Sequence, residues 1–238
     1  MSSGSGIYTA AAGAMAQSAA LDTTANNIAN ASTTGFQGDR VTFREALGAA
    51  KSADIALVNT GAVRVDTQRG ALQQTGNPLD LALEGEGLFA VDTPNGARYT
   101  RAGAFTLDDQ RRIVTPDGFA VRGVGGPITI PADAKELAVS TDGQVSADGE
   151  IIGKLDLVRF APTQLTHQGA SLFAATGKPL GGDRPIVRAG ALEMSNVNVV
   201  RGVVDLVKVT RTYESLMRVI QGFHDVESRA ARELGGPK

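Results

Sequence analysis

The stretch ANNIANASTTGF, residues 25–36, stands at the end of a helical pattern and decides how the rest of the chain is interpreted. Asn and Ser side chains compete with helical backbone hydrogen bonds, and Gly35 permits a left-handed backbone, so we expect the helix to stop between Asn30 and Gly35. Asn26 and Asn27 stand inside the helix, where Leu, Glu or Lys would be ordinary. Either they bond to neighbouring backbone and set a packing register, or they face solvent; the spacing alone leaves both alternatives open.

The residues before this stretch predict one face of a packed helix. Apolar and small residues recur there at alternating spacings of four and three, the period of a coiled-coil seam: Ile7, Ala11, Ala14, Ser18, Leu21, Ala25 and Ile28. Alanine and serine dominate this seam. Such a helix buries too little apolar area to offset its ordering entropy without a partner.

The C-terminal segment repeats the same period with larger side chains. The seam is formed by Val203, Leu206, Thr210, Tyr213, Met217 and Ile220, and Phe223 and Val226 extend its apolar side. We expect one long helix from about Val199 to Glu233. A seam of bulky residues and a seam of small residues are complementary, so we expect the two terminal helices to pack against each other.

Between residues 79 and 190 the pattern changes to short β-branched and aromatic runs. Asn95-Gly96, Asp117-Gly118, Asp142-Gly143 and Asp148-Gly149 cut these runs, and each pair is a strong hairpin-turn signal. Seven strands are predicted, in the segments GLFAVD, ARYTRAGAFTL, RRIVT, GFAVRG, ELAVS, GQVSA and KLDLVRF. No convincing helical pattern interrupts them, which indicates a β domain.

The predicted fold class is α+β, with the N- and C-terminal helices paired as a coiled-coil-like hairpin, an inserted all-β domain and an extended connector. The expected boundaries are 1–36 for the N-terminal helix of the inner core domain, 37–77 for the connector, 78–196 for the β domain and 197–238 for the C-terminal helix. Because matched helices flank the β domain in sequence, we expect that domain to be an insertion carried by the helical pair.

Composition excludes several classes of function. The chain has no cysteine, which removes disulfides, thiolate metal sites and cysteine nucleophiles, and its net charge of −2 suggests neither nucleic acid nor an anionic membrane as a partner. The first residues do not form a secretory signal, and no run approaches a membrane span. His167 and His224 stand alone, without a Ser-His-Asp order around them. We expect no catalytic residue, no cofactor, no metal and no small-molecule substrate.

Four segments of the chain together carry a resemblance to a known family. ANNIANASTTGFQ resembles the N-terminal signature of bacterial flagellar rod and hook proteins, and residues 190–221, GALEMSNVNVVRGVVDLVKVTRTYESLMRVIQ, resemble their C-terminal signature. NPLDLALEGEGLFAV and ARYTRAGAFTLDDQRRIVTPDGFAV are similar to their central segments. Within the family, ANASTTGF, the short length and GGPITIP, residues 125–131, are most similar to proximal rod members; distal rod members are the alternative.

The resemblance implies a structural subunit of the flagellar basal-body rod, not an enzyme, whose terminal helices polymerise into the axial drive-shaft tube. Implied partners are other rod subunits, proximal and distal, in a helical hetero-assembly, and the flagellar type III export apparatus. The implied location is the periplasmic rod, reached without a cleaved signal peptide. A cell-wall glycan hydrolase and a coiled-coil adaptor or chaperone are the rival hypotheses. We expect these residues to pack in the assembly: Ile7, Leu21, Asn26, Asn27, Ile28, Leu206, Tyr213, Met217 and Ile220.

Overall fold

A computed structural model describes residues 3–47, 56–169, 171–182 and 184–234. Residues 1–2 and 235–238, at the ends of the two predicted helical segments, and residues 48–55 of the predicted connector lie outside the described residues. The chain divides into two compact units. The helical unit comprises the described parts of Met1–Ile28, Asp39–Val63 and Asn198–Lys238, and the β unit those of Ala29–Gly38 and Arg64–Val197.

Two long helices dominate the helical unit. Helix α1 spans Ser3–Ala29 and helix α2 spans Val199–Leu234, which confirms the helix predicted from Val199 to Glu233. Asn198 begins α2 as its N-cap, because its side-chain Oδ1 accepts the Arg201 backbone N–H at 3.0 Å. Strands β1, Asp39–Leu47, and β2, Ala56–Val65, pair as a two-stranded sheet.

The β unit is built from short strands that pair antiparallel. They are β3 Leu72–Gln74, β4 Leu81–Glu84, β5 Leu88–Thr93, β6 Gly96–Thr100, β7 Thr106–Leu107, β8 Ile113–Val114, β9 Ala120–Gly123, β10 Gly126–Pro127, β11 Leu137–Val139, β12 Gln144–Ala147, β13 Glu150–Lys154, β14 Leu157–Val158, β15 Leu165–His167, β16 Leu172–Ala175, β17 Ile186–Ala189 and β18 Ala191–Glu193. A 3-10 turn, Pro162–Gln164, precedes β15.

The largest sheet has nine strands. Its main path runs β15-β16-β6-β5-β9-β8-β7, with β10 beside β9 and β14 beside β5. Strands β11, β12 and β13 form a separate three-stranded meander, while β17 pairs with β4 and β18 pairs with β3. The last two pairings join strands more than 100 residues apart, so the last two strands of the β unit pair with its first two.

The chain turns at all four predicted pairs, but only Asp148-Gly149 forms the whole of a two-residue loop between its strands. Gly96, Gly118, Gly143 and Gly149 all have positive φ, and they lie at or beside the connections β5-β6, β8-β9, β11-β12 and β12-β13. Asp148 also has a φ of 50°, so the Asp148-Gly149 turn holds two successive left-handed residues, as a type I′ two-residue hairpin requires. The local sequence is therefore sufficient to predict where the chain turns.

The apolar core lies in the β unit. Its main cluster includes Phe89, Phe105, Ile113, Val145 and Leu155, all with at most 1% of their surface exposed. Phe89 and Phe105 meet edge to face, with ring centroids 5.1 Å apart. A second cluster is formed by Val65, Leu88, Phe160, Leu165 and Phe173.

The fold class is α+β, with two long helices and a predominantly antiparallel β unit. All seven predicted strand segments contain strands, but ARYTRAGAFTL was wrongly taken as one strand. It is divided between β6 and β7, and the buried, ion-paired Arg101 lies between these two strands. Residues 29–38 and 64–77, assigned from sequence to the helix and connector, belong to the β unit.

Candidate functional site

The two helices contact each other in antiparallel order. A Cβ placed on Gly6 would lie 2.8 Å from Phe223 Cζ, one on Gly13 would lie 3.3 Å from Leu216 Cδ1, and one on Gly202 would lie 2.9 Å from Ile28 Cγ1. As positions in α1 rise, their partners in α2 fall. Glycine is required for this close approach, because any side chain at Gly6 or Gly202 would displace an apolar group from the opposite helix.

The half-buried positions of α2 follow the predicted period from Leu206 to Phe223, whereas Val226, also predicted on this side, is exposed. Leu206, Tyr213, Met217 and Ile220 are all half-buried, as are Leu216 and Phe223, the residues that contact glycines of α1. Val203, which the seam pattern included, has 46% of its surface exposed. The contact row runs one position earlier than predicted at this end, through Gly202, because the small glycine allows Ile28 to approach.

On α1, the structure places Ile7, Leu21 and Ile28 at half-buried positions. Four alanines, at positions 10, 14, 16 and 20, are buried. Ala25, another seam position, is exposed. The assembly roles of Ile7, Leu21 and Ile28 therefore stay a prediction.

Asn26 and Asn27 behave differently from each other. Asn27 is half-buried, its Nδ2 donates to the Asp39 carbonyl oxygen at 2.8 Å, and its Oδ1 accepts the Asp39 N–H at 2.8 Å. Asn26 lies at an exposed position on the same helix. Of the two alternatives left open by the sequence, hydrogen bonding to backbone therefore holds for Asn27. Its partner lies 12 residues away on β1.

A second apolar surface of α2 is exposed. Val200, Val203, Val204 and Val207 recur at spacings of three and four and lie away from the row of residues that contacts α1. Val200 is 77% exposed, and on α1 Met15 and Tyr8 are 72% and 69% exposed. Large apolar side chains exposed in rows mark surfaces that other protein chains cover.

In the β unit, the end of the opening stretch is held by its backbone. Gly35 has a φ of +67°, donates its N–H to the Glu193 carbonyl oxygen at 2.7 Å, and leaves no space for a side chain, since a Cβ would lie 2.2 Å from the Ala102 nitrogen. Phe36 is 2% exposed and stacks on His167 with ring centroids 5.5 Å apart. The signature after the helix therefore anchors the chain to the β unit.

A buried ion pair lies beneath Gly35. Arg101 Nε donates to Glu193 Oε2 at 2.6 Å, and both side chains are 2% exposed. The guanidinium also donates to the Leu83 and Gly87 carbonyl oxygens at 2.7 and 2.6 Å, and Glu193 Oε1 accepts the Gly70 N–H at 3.2 Å. Hydrogen bonds to both charged groups offset the cost of burying them.

The two histidines lie at different kinds of position. His167 Nε2 lies 2.9 Å from the Gln37 carbonyl oxygen, so this nitrogen carries the proton and donates it. The His167 ring also contacts Phe173, with centroids 4.5 Å apart. His224 lies exposed on α2. His167 is thus part of the packing around Phe36.

The β unit contains a cavity of about 200 Å³, which a glycan hydrolase could use as a catalytic cleft if it held the necessary carboxylates. Leu88, Phe160 and Leu165 contribute apolar walls, and Glu86 is the one carboxylate among its described lining residues. Glu86 pairs with Arg159 at 3.2 Å. Glycan hydrolysis needs two carboxylates across the scissile bond, and this cavity does not supply them.

The described residues contain neither a metal-binding cluster nor a helix suited to span a membrane. No group of three His, Asp or Glu side chains within the described ranges is arranged to hold a metal ion. None of the helices in the part of the chain that the structure describes has the length and hydropathy needed to cross a bilayer.

Three family models match the chain in the order of its segments. A flagella basal body rod protein model matches residues 7–37, a flagellar hook protein FlgE/F/G D1 domain model matches 82–147, and a flagellar basal body rod FlgEFG protein C-terminal model matches 188–233. The flagellar basal-body rod protein FlgF of Rhizobium meliloti is 34% identical over 238 residues, covering 98% of this chain and 99% of the relative. The chain belongs to the flagellar basal-body rod protein family.

Two further rod proteins are similar over most of their length. The flagellar basal-body rod protein FlgG of Bacillus subtilis is 35% identical, covering 84% of this chain and 88% of the relative. The FlgF protein of Salmonella typhimurium is 33% identical, covering 96% and 97%. This rod-family chain is therefore a structural subunit of the flagellar basal-body rod and not an enzyme. The glycan hydrolase hypothesis is not supported.

Proposed function

We propose that this rod-family chain occupies the proximal part of the rod and polymerises through α1 and α2 into the tube that transmits rotation. The observation that carries the proposal is the apolar surface of α2 formed by Val200, Val203, Val204 and Val207, which α1 leaves exposed. Heterologous contacts that do not close into a ring generate a helical filament. Neighbouring rod subunits, proximal and distal, are the partners that would cover this surface.

The helix pair also supports coupling between folding and assembly. Glycines and alanines line the packed side of α1, so the pair buries little apolar area for helices of this length. Contacts with neighbouring subunits would supply the missing burial. Deferring the ordering cost until binding keeps a free subunit from polymerising early. It also suits passage as an unfolded chain through the type III export apparatus to the periplasm, without a cleaved signal peptide.

Cross-linking tests the helix pair, because the chain has no cysteine to interfere. Paired Gly13→Cys and Leu216→Cys substitutions should form a disulfide under mild oxidation in assembled rods, since these positions face each other. Gly13→Cys with Phe223→Cys is the mismatched control, about two helical turns out of register. Equal cross-linking of both pairs would contradict the antiparallel register.

Assembly is tested on the exposed face of α2. Val204→Asp should abolish incorporation into basal bodies. The circular dichroism of the purified full-length subunit and the protease resistance of its β unit should remain unchanged. Thr212→Asp, at an exposed position of the same helix, is the control and should incorporate normally. Normal incorporation of Val204→Asp would reject the proposed surface.

Limited proteolysis tests the coupled folding. In the dilute subunit, residues 79–190 should resist protease while the segments of α1 and α2 are cleaved. In isolated basal bodies both helices should be protected. Full protection of the helices in the dilute subunit would refute the coupling, though not the assembly itself.

A further inference from the structure

Asn196, just before α2, joins three segments of the β unit that are distant in sequence. Its Oδ1 accepts the Gly38 N–H at 2.8 Å, and its Nδ2 donates to the carbonyl oxygens of Asp66 and Gln68 at 2.8 and 2.9 Å. These partners lie 158, 130 and 128 residues away in sequence. One half-buried carboxamide thus uses its acceptor and both of its donors on three different backbone groups.

Backbone hydrogen bonds complete the same junction. The Asn196 N–H donates to the Phe36 carbonyl oxygen at 3.3 Å, and the Asp66 N–H donates to the Gly38 carbonyl oxygen at 2.7 Å. Residues 36–38, 66–68 and 196 are therefore linked to one another directly. We call this group of residues the Asn196 junction.

The residues of the Asn196 junction lie close in sequence to three points at which the chain passes from one unit to the other. The chain passes from one unit to the other after residues 28, 38, 63 and 197. Gly38, Asp66 and Asn196 each lie within three residues of a different one of the last three passages. Three of the four passages are thus tied together, inside the β unit, by one side chain.

We propose that Asn196 is a positioning residue that makes these three passages bear mechanical load together. If the three segments were not joined, a force applied to one of them would break the hydrogen bonds of that segment one after another. With the junction closed, the same force is divided over bonds in three segments, and they must break together. The inference rests on the proposed function, because that function requires the helices and the β unit to turn as one body.

The chemistry of asparagine fits this role. Aspartate has a similar shape and keeps the acceptor for Gly38, but it loses both donors and turns a negative charge toward two carbonyl oxygens. Alanine removes all three bonds. Asn77 gives a matched control in the same unit, because its side-chain bonds to Leu79 and Asp80 span at most three residues.

Hydrogen exchange on the full-length subunit is the first measurement. In Asn196→Ala, the amide hydrogens of Gly38 and Asp66 should exchange at least about tenfold faster, while those of the core strand β5 should not change. In Asn196→Asp, the Gly38 amide keeps its acceptor and should remain protected. The Asp66 amide donates to the Gly38 carbonyl oxygen, and it should still exchange faster because the Asp66 carbonyl oxygen has lost its donor. Unchanged exchange at both amides in Asn196→Ala would overturn the junction.

Swimming under load is the second measurement, made in cells that carry each variant in place of the wild-type chain. Both Asn196 variants should swim at wild-type speed in dilute medium and lose at least half of that relative speed in viscous medium, with unchanged numbers of flagella. Asn77→Ala should match wild type in both media. A defect that is equal in both media would indicate a simple loss of folding and overturn the load-sharing role.

The two proposals can fail separately. If Asn196→Asp swims like wild type under load, the donor bonds carry no load and the inference is wrong, while the rod role stands. If deletion of the whole chain leaves rods intact and swimming normal, the proposed function is wrong, and the inference that rests on it is rejected with it.

Discussion

The side chain of Asn27 forms two hydrogen bonds with the backbone of one residue, Asp39. Its amide nitrogen and oxygen reproduce the donor and acceptor of a neighbouring strand residue, so the first residue of β1 is paired before β2 begins. Both residues belong to the helical unit. The last turn of α1 and the start of β1 are thereby fixed with respect to each other.

Asn27→Ala should release the start of β1 from α1. The loss of two hydrogen bonds is expected to cost about 1–3 kcal/mol locally, because the Asp39 backbone groups lose their partners. In assembled rods, where α1 is expected to be folded, hydrogen exchange at the Asp39 amide should rise accordingly. Thr24→Ala is the control, since Thr24 Oγ1 bonds only within α1, to the Ala20 carbonyl oxygen at 2.7 Å. Similar exchange at Asp39 in both variants would contradict this role.

Gly35→Ala should destabilise the β unit more than an ordinary glycine substitution. Gly35 combines a positive φ with backbone atoms of residues 101 and 102 within 2.4 Å of a Cβ, and we expect a loss of about 3 kcal/mol. Gly76 has a φ of +77° but open space around it, so Gly76→Ala should cost about 1 kcal/mol. Urea unfolding of the two variants separates steric exclusion from backbone strain. Equal losses would show that the close approach of Ala102 has no effect.

Removal of one partner of the buried ion pair should be costly. Arg101→Met leaves the Glu193 carboxyl group buried without its guanidinium partner, and we expect a loss of about 3–5 kcal/mol in the free energy of unfolding. The double variant Arg101→Met, Glu193→Met should lose less than the sum of the single losses, because no unpaired charge remains. A thermodynamic cycle from urea unfolding measures the coupling. Additive losses would mean that the two charges do not interact.

The β11-β12 turn should make stability depend on acid pH. The Ser140 hydroxyl, Lys154 and Gln144 all donate to the Asp142 carboxylate and hold its pKa well below its usual range. A lowered folded pKa stabilises the fold above the unfolded pKa near 3.8, and this stabilisation disappears as the pH falls through the folded pKa. Asp142→Asn should therefore flatten the decline in Tm between about pH 4 and pH 2. An unaltered decline would assign it to other carboxylates.

Periodicity and turn chemistry were enough to predict helix α2 and the four hairpin turns, because both signals are local. Spacing also selected residues that the structure places at half-buried positions of α2, namely Leu206, Tyr213, Met217 and Ile220. Their packing role in the assembly stays a prediction. The contact row on α1 was harder to find, since glycine and alanine give little hydrophobic contrast. Pattern alone could not reveal that Gly6 and Gly13 face large side chains.

Long-range polar pairs escaped sequence reasoning altogether. Arg101 and Glu193 are 92 residues apart, and the one local signal was a charged residue inside an apolar strand pattern. Asn27 could be recognised as unusual, but its partner Asp39 lies beyond the helix. Strand β3 pairs with β18 and β4 pairs with β17, and each pairing joins strands more than 100 residues apart. Sequence patterns within short windows do not reveal such pairings.

The bond between Gly38 and Asn196 has a consequence for the order of folding. Helices α1 and α2 are separated by roughly 170 residues, and closing so long a loop slows their encounter. Once the β unit has formed this bond, only about a dozen residues connect the helices through it, which lowers the closure cost by about 2 kcal/mol. The helical pair should therefore be the last part of the chain to form.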